Sequence, residues 1–196
     1  MCPVHNNMWM GTSTGTLKVF HAPTLKAKFA GKLEIGNGQS ASLILDILHV
    51  EETSSVLVVN TNGEIWSFYD KIVPGGLKIQ DRILLPDNNP CFHLTKVNVQ
   101  GSVEVWGTMD SNRVLLLERV EWGWKKLEFE SDPKDPKLRL CSFIAHASFT
   151  ARDGNPANHI WISYRQRSLL VSWDAKERKQ RAIINCASSL KTGKHN

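Results

Sequence analysis

Three features of this 196-residue sequence predict an all-β fold. Short runs rich in β-branched and aromatic residues alternate with turns marked by Gly, Pro, Asn or Asp, which is the pattern of strands joined by hairpins. No stretch shows a sustained 3.6-residue period of apolar residues, so almost no helix is expected. Similar hairpins also recur at a regular spacing, and this repetition is typical of repeat architectures.

The first half of the chain contains two units of strands, at about 8–33 and 42–85. In the first unit Gly15 can adopt the positive φ of a tight turn, and Pro23 marks the next turn. In the second unit Asn62-Gly63 is a strong hairpin signal. The predicted strands are 8–11, 16–20, 27–33, 42–50, 56–59, 64–69 and 77–85.

The second half repeats this order of events in two further units, at about 92–129 and 138–184. A polar linker with two prolines, 131–137, separates them, and a polar basic tail follows at 187–196. The clearest hairpin of the chain, 159–174, has a polar tip at 165–167. The predicted strands are 92–99, 103–107, 114–117, 124–129, 138–149, 160–163, 169–173 and 182–184.

The spacing of the third strands turns this pattern into a fold prediction. These strands close on Phe20, Phe68, Leu117 and Trp173, at separations of 48, 49 and 56 residues. A period in this range with about four short strands per unit indicates the blades of a WD40-like β-propeller. A two-sheet sandwich is the alternative for many short strands, but the regular spacing favours the propeller.

The number of strands predicts an incomplete ring. Only seven residues precede Met8, so the first unit is expected to lack its first strand, leaving three full blades and one partial blade. Propellers usually have four to eight blades. We therefore expect this chain to be a fragment of a larger propeller or of a larger protein.

Charge is concentrated at one end of the chain, whose formal net charge is +5. From Arg165 onward eight basic residues oppose two acidic ones, so this end carries +6 and the remainder −1. No apolar run approaches the ~20 residues of a membrane span, and the N-terminus lacks a signal-peptide layout. The cysteines are far apart and form no C-x-x-C, which predicts reduced thiols and a cytoplasmic location. They are Cys2, Cys91, Cys141 and Cys186.

Several patches resemble the C-terminal WD40-type propeller of the leucine-rich repeat kinases, the ROCO family. They are MWMGTSTGTLKVF at 8–20, KLEIGN at 32–37, GEIWSF at 63–68, LVSWDAK at 170–176 and IINC at 183–186. The resemblance covers most of 8–186. Its most specific parts are Gly36-Asn37 and 173–186, since the Gly-Thr hairpin is generic to WD-like blades.

The resemblance implies a non-catalytic domain of a cytoplasmic serine/threonine kinase, and a propeller ring of seven blades of which this chain contains about four. Proteins of this family join a Ras-like GTPase domain, a dimerising linker domain, a kinase and this propeller, which serves self-association and docking to microtubules or membrane-vesicle partners. Kinase-scaffold proteins, Rho guanine-nucleotide exchange factors and DENN-domain proteins have propellers with similar Trp-x-Gly hairpins. They are the alternatives.

Motifs for catalysis or cofactor binding are missing from the sequence. It contains no G-x-G-x-x-G, no P-loop, no His-Arg-Asp, no Asp-Phe-Gly and no G-x-S-x-G, so neither kinase, GTPase nor hydrolase activity is expected of this chain. Of seven histidines only His146 and His159 lie near each other, without the spacing of a zinc site. The sequence therefore predicts no cofactor and no metal.

Tryptophans and cations supply the candidate partner contacts. Trp122 and Trp124 flank Gly123 at a predicted turn, where one is expected to pack inward. An exposed Trp122 beside Lys125 and Lys126 would be a partner contact. The other tryptophans on hairpin strands are expected to pack between blades. They are Trp9, Trp66, Trp106, Trp161 and Trp173.

The basic stretch at 176–181 is the second candidate contact. Its simplest interpretation is a solvated outer strand. Docking to an acidic surface, such as a microtubule or an anionic membrane, is the functional interpretation. Nucleic-acid binding is disfavoured because no aromatic stacking platform accompanies the charges. The cations are Lys176, Arg178, Lys179 and Arg181.

Two function classes follow from the sequence. One is an interaction module that binds proteins, including a second copy of itself, through blade edges and loop tips. The other is a small-ligand or enzyme propeller with polar groups at its central channel, where Asp46 and Lys96 are the candidates. Because these two differ in type and do not recur at matching positions, the interaction module is favoured.

Overall fold

A computed structural model describes residues 1–32, 42–109, 113–121, 123–130, 141–150, 156–164 and 168–186. In these ranges sixteen strands form four antiparallel sheets of four strands each, with consecutive strands as neighbours in every sheet. Within these ranges the only helical elements longer than one residue are single 3-10 turns at Glu51–Thr53 and Pro86–Asn88. The predictions of an all-β fold, of four-stranded units and of almost no helix are confirmed.

Sheet 1 has a first strand that the sequence did not predict. Cys2 pairs with Trp9 and Val4 with Asn7 in an antiparallel ladder. The expectation that this unit lacks its first strand is therefore wrong. Pro3 is tolerated because this strand forms the edge of the sheet, where a missing backbone donor costs little. The strands are β1 (Cys2–Val4), β2 (Asn7–Gly11), β3 (Thr16–His21) and β4 (Ala27–Lys32).

Sheet 2 follows the predicted order of strands. Its β6–β7 turn is a three-residue hairpin loop that ends on Gly63 at φ +71°, and the β2–β3 turn ends on Gly15 at φ +72° in the same way. Both glycines occupy the left-handed conformation that such loops require at their last position. The strands are β5 (Ile44–Val50), β6 (Ser55–Asn60), β7 (Glu64–Tyr69) and β8 (Ile79–Leu84).

Sheets 3 and 4 are formed by strands within residues 91–130 and 141–185. The predicted turns at 110–112, 154–156 and 165–167 and the linker at 131–137 fall wholly or mostly outside the described residues. Sheet 3 contains β9 (Cys91–Val99), β10 (Ser102–Met109), β11 (Arg113–Val120) and β12 (Gly123–Glu130). Sheet 4 contains β13 (Cys141–Thr150), β14 (Pro156–Tyr164), β15 (Leu169–Asp174) and β16 (Lys179–Asn185).

The repeat that the sequence predicts has a structural counterpart in three sheets. The pairing of the third with the fourth strand shifts register between Val19 and Phe20, between Ser67 and Phe68, and between Ser172 and Trp173. Each shift is a β-bulge, which bends and twists a strand locally. Phe20, Phe68 and Trp173 were aligned from the sequence, so the predicted register is confirmed at these positions.

The chain divides into two compact units, one made of residues 1–94 and 119–124 and the other of 95–118 and 125–196. In the first unit Trp9 is buried in the hydrophobic core, and the centroid of its ring lies 6.0 Å from that of Phe68. In the second unit the ring of Trp106 lies 6.4 Å from that of Trp173. These pairs join sheet 1 to sheet 2 and sheet 3 to sheet 4, as predicted for tryptophans between blades.

Candidate functional site

A buried carboxylate organises the β6–β7 hairpin of the first unit. Glu64 accepts hydrogen bonds from Asn60 Nδ2 at 2.9 Å, from Trp66 Nε1 at 3.1 Å and from the guanidinium of Arg82. Arg82 also lies over the Trp66 ring, 4.8 Å from its centroid. Burial raises the pKa of Glu64, but the bonds from Arg82, Asn60 and Trp66 outweigh it, so the pKa is lowered overall. This acid is fully engaged in holding the fold.

The second unit contains a similar hydrogen-bond network, and it includes Arg178, one of the predicted partner-contact residues. Glu104 accepts a hydrogen bond from Trp106 Nε1 at 2.9 Å and a second from Arg178 at 2.9 Å, and Arg178 also bonds Glu118. Burial lowers the pKa of Arg178, yet the bonds to the two glutamates raise it overall. Arg178, in the β15–β16 turn of sheet 4, therefore anchors that turn to two strands of sheet 3.

The remaining basic candidates of that turn differ in how they are engaged. Arg181 donates to Asp174 Oδ2 at 2.9 Å. Lys176 and Lys179 are exposed, and no acidic partner for either lies in the described part of the chain. The basic stretch thus has two cations held by the fold and two that point to solvent. The structure brings all four into one turn and the start of β16.

The candidates around Gly123 are placed only in part, because Trp122 lies outside the described residues. Trp124 is buried, with its backbone N–H donating to Asp81 Oδ2 at 3.0 Å and its indole to Ser67 Oγ at 3.3 Å. Trp124 therefore packs inward. Lys125 Nζ lies 3.6 Å from Glu118, and Lys126 Nζ lies 3.5 Å from Glu128.

Asp46 and Lys96, the two candidates for an enzyme channel, lie on different strands. Asp46 on β5 accepts backbone bonds from Ile47 at 2.9 Å and from Leu94 at 2.8 Å, and its Oδ2 lies 4.0 Å from His93 Nδ1. Burial raises the pKa of Asp46 despite these bonds. Lys96 lies on β9 and is half-buried. Asp46 belongs to the first compact unit and Lys96 to the second.

A cluster of three metal-ligating side chains lies in the first unit, and sequence reasoning missed it. His5 Nε2 is 2.8 Å from Asp70 Oδ2, and His49 Nε2 is 3.5 Å from the same oxygen. All three ligand atoms lie within 4.8 Å of one another. The two imidazole rings meet edge to face with centroids 5.2 Å apart. We call these residues the His5–His49–Asp70 cluster.

Three separate elements supply this cluster. His5 is in the β1–β2 turn, His49 is near the end of β5, and Asp70 directly follows β7. The only signal in the sequence was the repeat. Asp70 directly follows the third strand of the second blade, and Asp174 ends the third strand of the fourth blade. The pair that the sequence did single out is elsewhere: His146 lies 3.0 Å from Asn158 Oδ1, and His159 packs on Phe149.

Comparison with known proteins identifies the fold. No protein-family model and no curated protein matches the chain. Solved structures do match, and one is a putative 6-phosphogluconolactonase from Bacteroides fragilis, with TM-score 0.67, 12% identity, 94% of this chain and 56% of that one. The β-propeller domain of Myceliophteria thermophila Cps50 (Swd1) matches with TM-score 0.54, 15% identity and coverage of 92% and 50%. Chaetomium thermophilum Raptor matches with TM-score 0.61, 9% identity and coverage of 92% and 15%.

These similarities establish the fold of the chain. The chain has an all-β, propeller-type fold with about four four-stranded blades. It spans little more than half the length of the first of these proteins and less of the others. They include a protein named as a putative lactonase and one described as a β-propeller domain, and at identities of 9–15% they show the fold alone. Among the described residues no helix has the length and apolar character needed to cross a membrane.

Proposed function

We propose that this chain is a protein-interaction segment of a β-propeller in the C-terminal region of a ROCO-type leucine-rich repeat serine/threonine kinase of the cytoplasm. Its kinase and GTPase sites would lie in other domains of the same protein. The resemblance of the patches at 8–20, 63–68 and 170–186 supports this origin, and the propeller-type fold agrees with it. Its role is to bind partners, including a second copy of itself.

The observation that carries the interaction role is the basic turn between β15 and β16. Arg178 fixes this turn to sheet 3, so Lys176 and Lys179 are presented on a rigid support. Fixed positive charges that face solvent attract an acidic surface and raise the rate of association. An anionic membrane is best held by clusters of four to eight cations. Two unpaired lysines fit an acidic protein surface better, and the microtubule is the partner class that we favour.

The double variant Lys176→Glu/Lys179→Glu tests this role. At low salt the wild-type chain should co-sediment with microtubules, and the variant should bind at least about tenfold more weakly because two attractions become repulsions. Lys26→Glu/Lys28→Glu is the matched control, because it changes the charge equally at two exposed lysines of sheet 1. Vesicles containing phosphatidylserine form a second arm.

Three outcomes would contradict the proposal. The Lys176/Lys179 variant could bind microtubules as well as the wild type does. The control could lose as much affinity as the variant, which would make the effect one of net charge. Binding to vesicles alone would replace the protein partner by a membrane.

A catalytic role at Asp46 is the second candidate, because burial raises its pKa and His93 is nearby. Its two carboxylate oxygens are each used by a backbone amide, from Ile47 and from Leu94. This arrangement ties β5 to β9 within the first unit. We therefore favour the structural role for Asp46 and the interaction role for the chain.

A further inference from the structure

We propose that the His5–His49–Asp70 cluster binds one divalent transition-metal ion, and that zinc is the ion to which the site is best suited. The proposal goes beyond the interaction role, since it assigns a ligand to a part of the chain that role does not use. It stands on the geometry of the three ligand atoms, on their chemistry and on the conformation of His5.

The geometry is close to that of a tetrahedral site. Zinc bonds to nitrogen and oxygen ligands of about 2.0–2.1 Å place neighbouring tetrahedral ligand atoms about 3.3 Å apart. The two measured separations to Asp70 Oδ2, 2.8 Å from His5 and 3.5 Å from His49, lie on either side of that value. The remaining separation, between the two histidines, is at most 4.8 Å. Small side-chain rotations therefore suffice to surround an ion.

The chemistry of the ligands selects the class of ion. Two imidazole nitrogens and one carboxylate oxygen form a donor set that suits zinc and its first-row neighbours, whereas calcium and magnesium prefer sites made wholly of oxygen. The carboxylate of Asp70 is only 3% exposed, so its charge is poorly screened by water. A cation bound between the three ligand atoms would be the charge partner of this buried acid.

The fold keeps one position of the site open. Asp70 is fixed through its backbone N–H, which donates to Ser54 O at 3.0 Å, and His49 is held near the end of the β5–β6 ladder by its pairing with Val56. His5 is 44% exposed, so the cluster reaches solvent on one side. Three protein ligands with an open fourth position are the arrangement of sites that bind a water or an incoming ligand.

The backbone conformation at His5 is a further observation that bears on the cluster. His5 has φ +51° in the two-residue turn between Val4 and Asn7. This left-handed conformation favours glycine and costs other residues about 1 kcal/mol or more. The ring of His5, in the β1–β2 turn of sheet 1, thus contacts Asp70, which follows β7 of sheet 2. Local strain of this kind concentrates at ligand-binding positions.

Ion-pair formation alone is the alternative account of the cluster. In that account His5 and His49 donate to Asp70, link the two sheets, and have no affinity for metal. The two accounts differ in stoichiometry, in spectroscopy and in the response of the melting temperature. Only a metal site gives one bound ion per chain and raises the melting temperature as zinc is added.

Titration calorimetry with zinc chloride on the tag-free chain is the first measurement. Cobalt(II) absorption is the second, because tetrahedral cobalt with nitrogen ligands has intense visible bands. We expect one ion per chain, a visible cobalt spectrum, and a higher melting temperature with zinc. His49→Gln and Asp70→Asn should each weaken zinc binding at least about tenfold.

Two controls and one conservative variant keep the test decisive. His5→Asn suits the left-handed turn and lacks the reach of histidine, so it should weaken zinc binding while the circular dichroism spectrum stays native. His21→Gln and His93→Gln remove exposed or half-exposed histidines outside the cluster and should bind zinc as the wild type does. The proposal is overturned if the wild type binds no zinc at 100-micromolar concentrations, about the affinity of weak metal modules. It is equally overturned if His5→Asn, while folded, binds zinc unchanged.

Discussion

At the scale of single residues, the buried acids of this chain are organised by their hydrogen-bond donors. Glu64 and Glu104 each accept from an indole two residues further along the strand and from an arginine brought in from elsewhere. The sequence shows the shared Glu-x-Trp pattern, but it does not show the arginine. A buried carboxylate with charged and neutral donors is stable as an anion, because each bond favours the ionised form.

Protonation of Glu64 should therefore destabilise the first unit. Its pKa is lowered from the ordinary value of 4.5, so the folded chain gains stability above about pH 4.5 and loses it as the pH falls through the lowered pKa. Glu64→Gln should make the free energy of unfolding less dependent on pH in this acidic range. It should also cost about 2 kcal/mol at neutral pH, where a charge-assisted network is broken.

Urea denaturation between pH 6 and pH 3 measures this effect. Glu51→Gln, at an exposed position in the turn after β5, removes the same charge without touching a buried network and serves as the control. An identical pH profile in wild type and Glu64→Gln would contradict the role given to this carboxylate.

At the scale of elements, the hairpin turns combine local and tertiary requirements. Gly63 was predicted from the Asn-Gly pair, and its φ of +71° confirms the local reason. A Cβ at this position would also lie 2.5 Å from the backbone carbon of Asn88, which no local pattern indicates. The turn is completed by Asn60, whose Oδ1 accepts from the backbone of Asn62 and Glu64.

Gly63→Ala should destabilise the chain by more than the backbone strain alone. Strain at positive φ costs about 1 kcal/mol, and the contact with Asn88 adds to it because backbone cannot move aside cheaply. Gly101→Ala is the matched control, since φ there is +86° and a Cβ would have nothing within 4 Å. Chemical denaturation of both variants measures the difference. If Gly63→Ala and Gly101→Ala lower the free energy of unfolding equally, the close contact with Asn88 does not contribute to the destabilisation.

At the scale of the whole molecule, the outer strand of sheet 4 is the feature that bears on self-association. In the order of sheet 4 β16 lies at the edge, and among the described strands it pairs with β15 alone. It exposes Ile183, at 45%, and Ile184. Edge strands with exposed apolar residues pair readily with other chains unless charges protect them.

Light scattering should therefore show a mass that rises with protein concentration. Ile183→Lys/Ile184→Lys should shift the chain towards the monomer, because charge at a strand edge opposes pairing. Leu25→Lys, at an exposed apolar residue of a turn in sheet 1, is the control and should leave the association unchanged. A wild type that remains monomeric at all concentrations tested would contradict self-association through this edge.

Much of the fold was determined by the sequence alone, because it rests on local rules. Alternation of apolar residues sets a strand, and Gly, Asn and Pro set its turns, so the all-β fold and the alignment of Phe20, Phe68 and Trp173 were predicted correctly. β1 was missed because three residues that include a proline carry no periodic signal. That strand exists only through its pairing with β2.

The sites were decided by the tertiary structure, because their members are distant in the chain. Arg178 is 74 residues from Glu104, and His5 is 65 residues from Asp70. The charge of 176–181 could be counted from the sequence, but which of its cations are held by acids depends on contacts across sheets. The sequence by itself determined a repeated all-β chain with a basic end. Only the folded chain brought two histidines onto one buried carboxylate, because ligand geometry depends on distances in space and not on spacing along the chain.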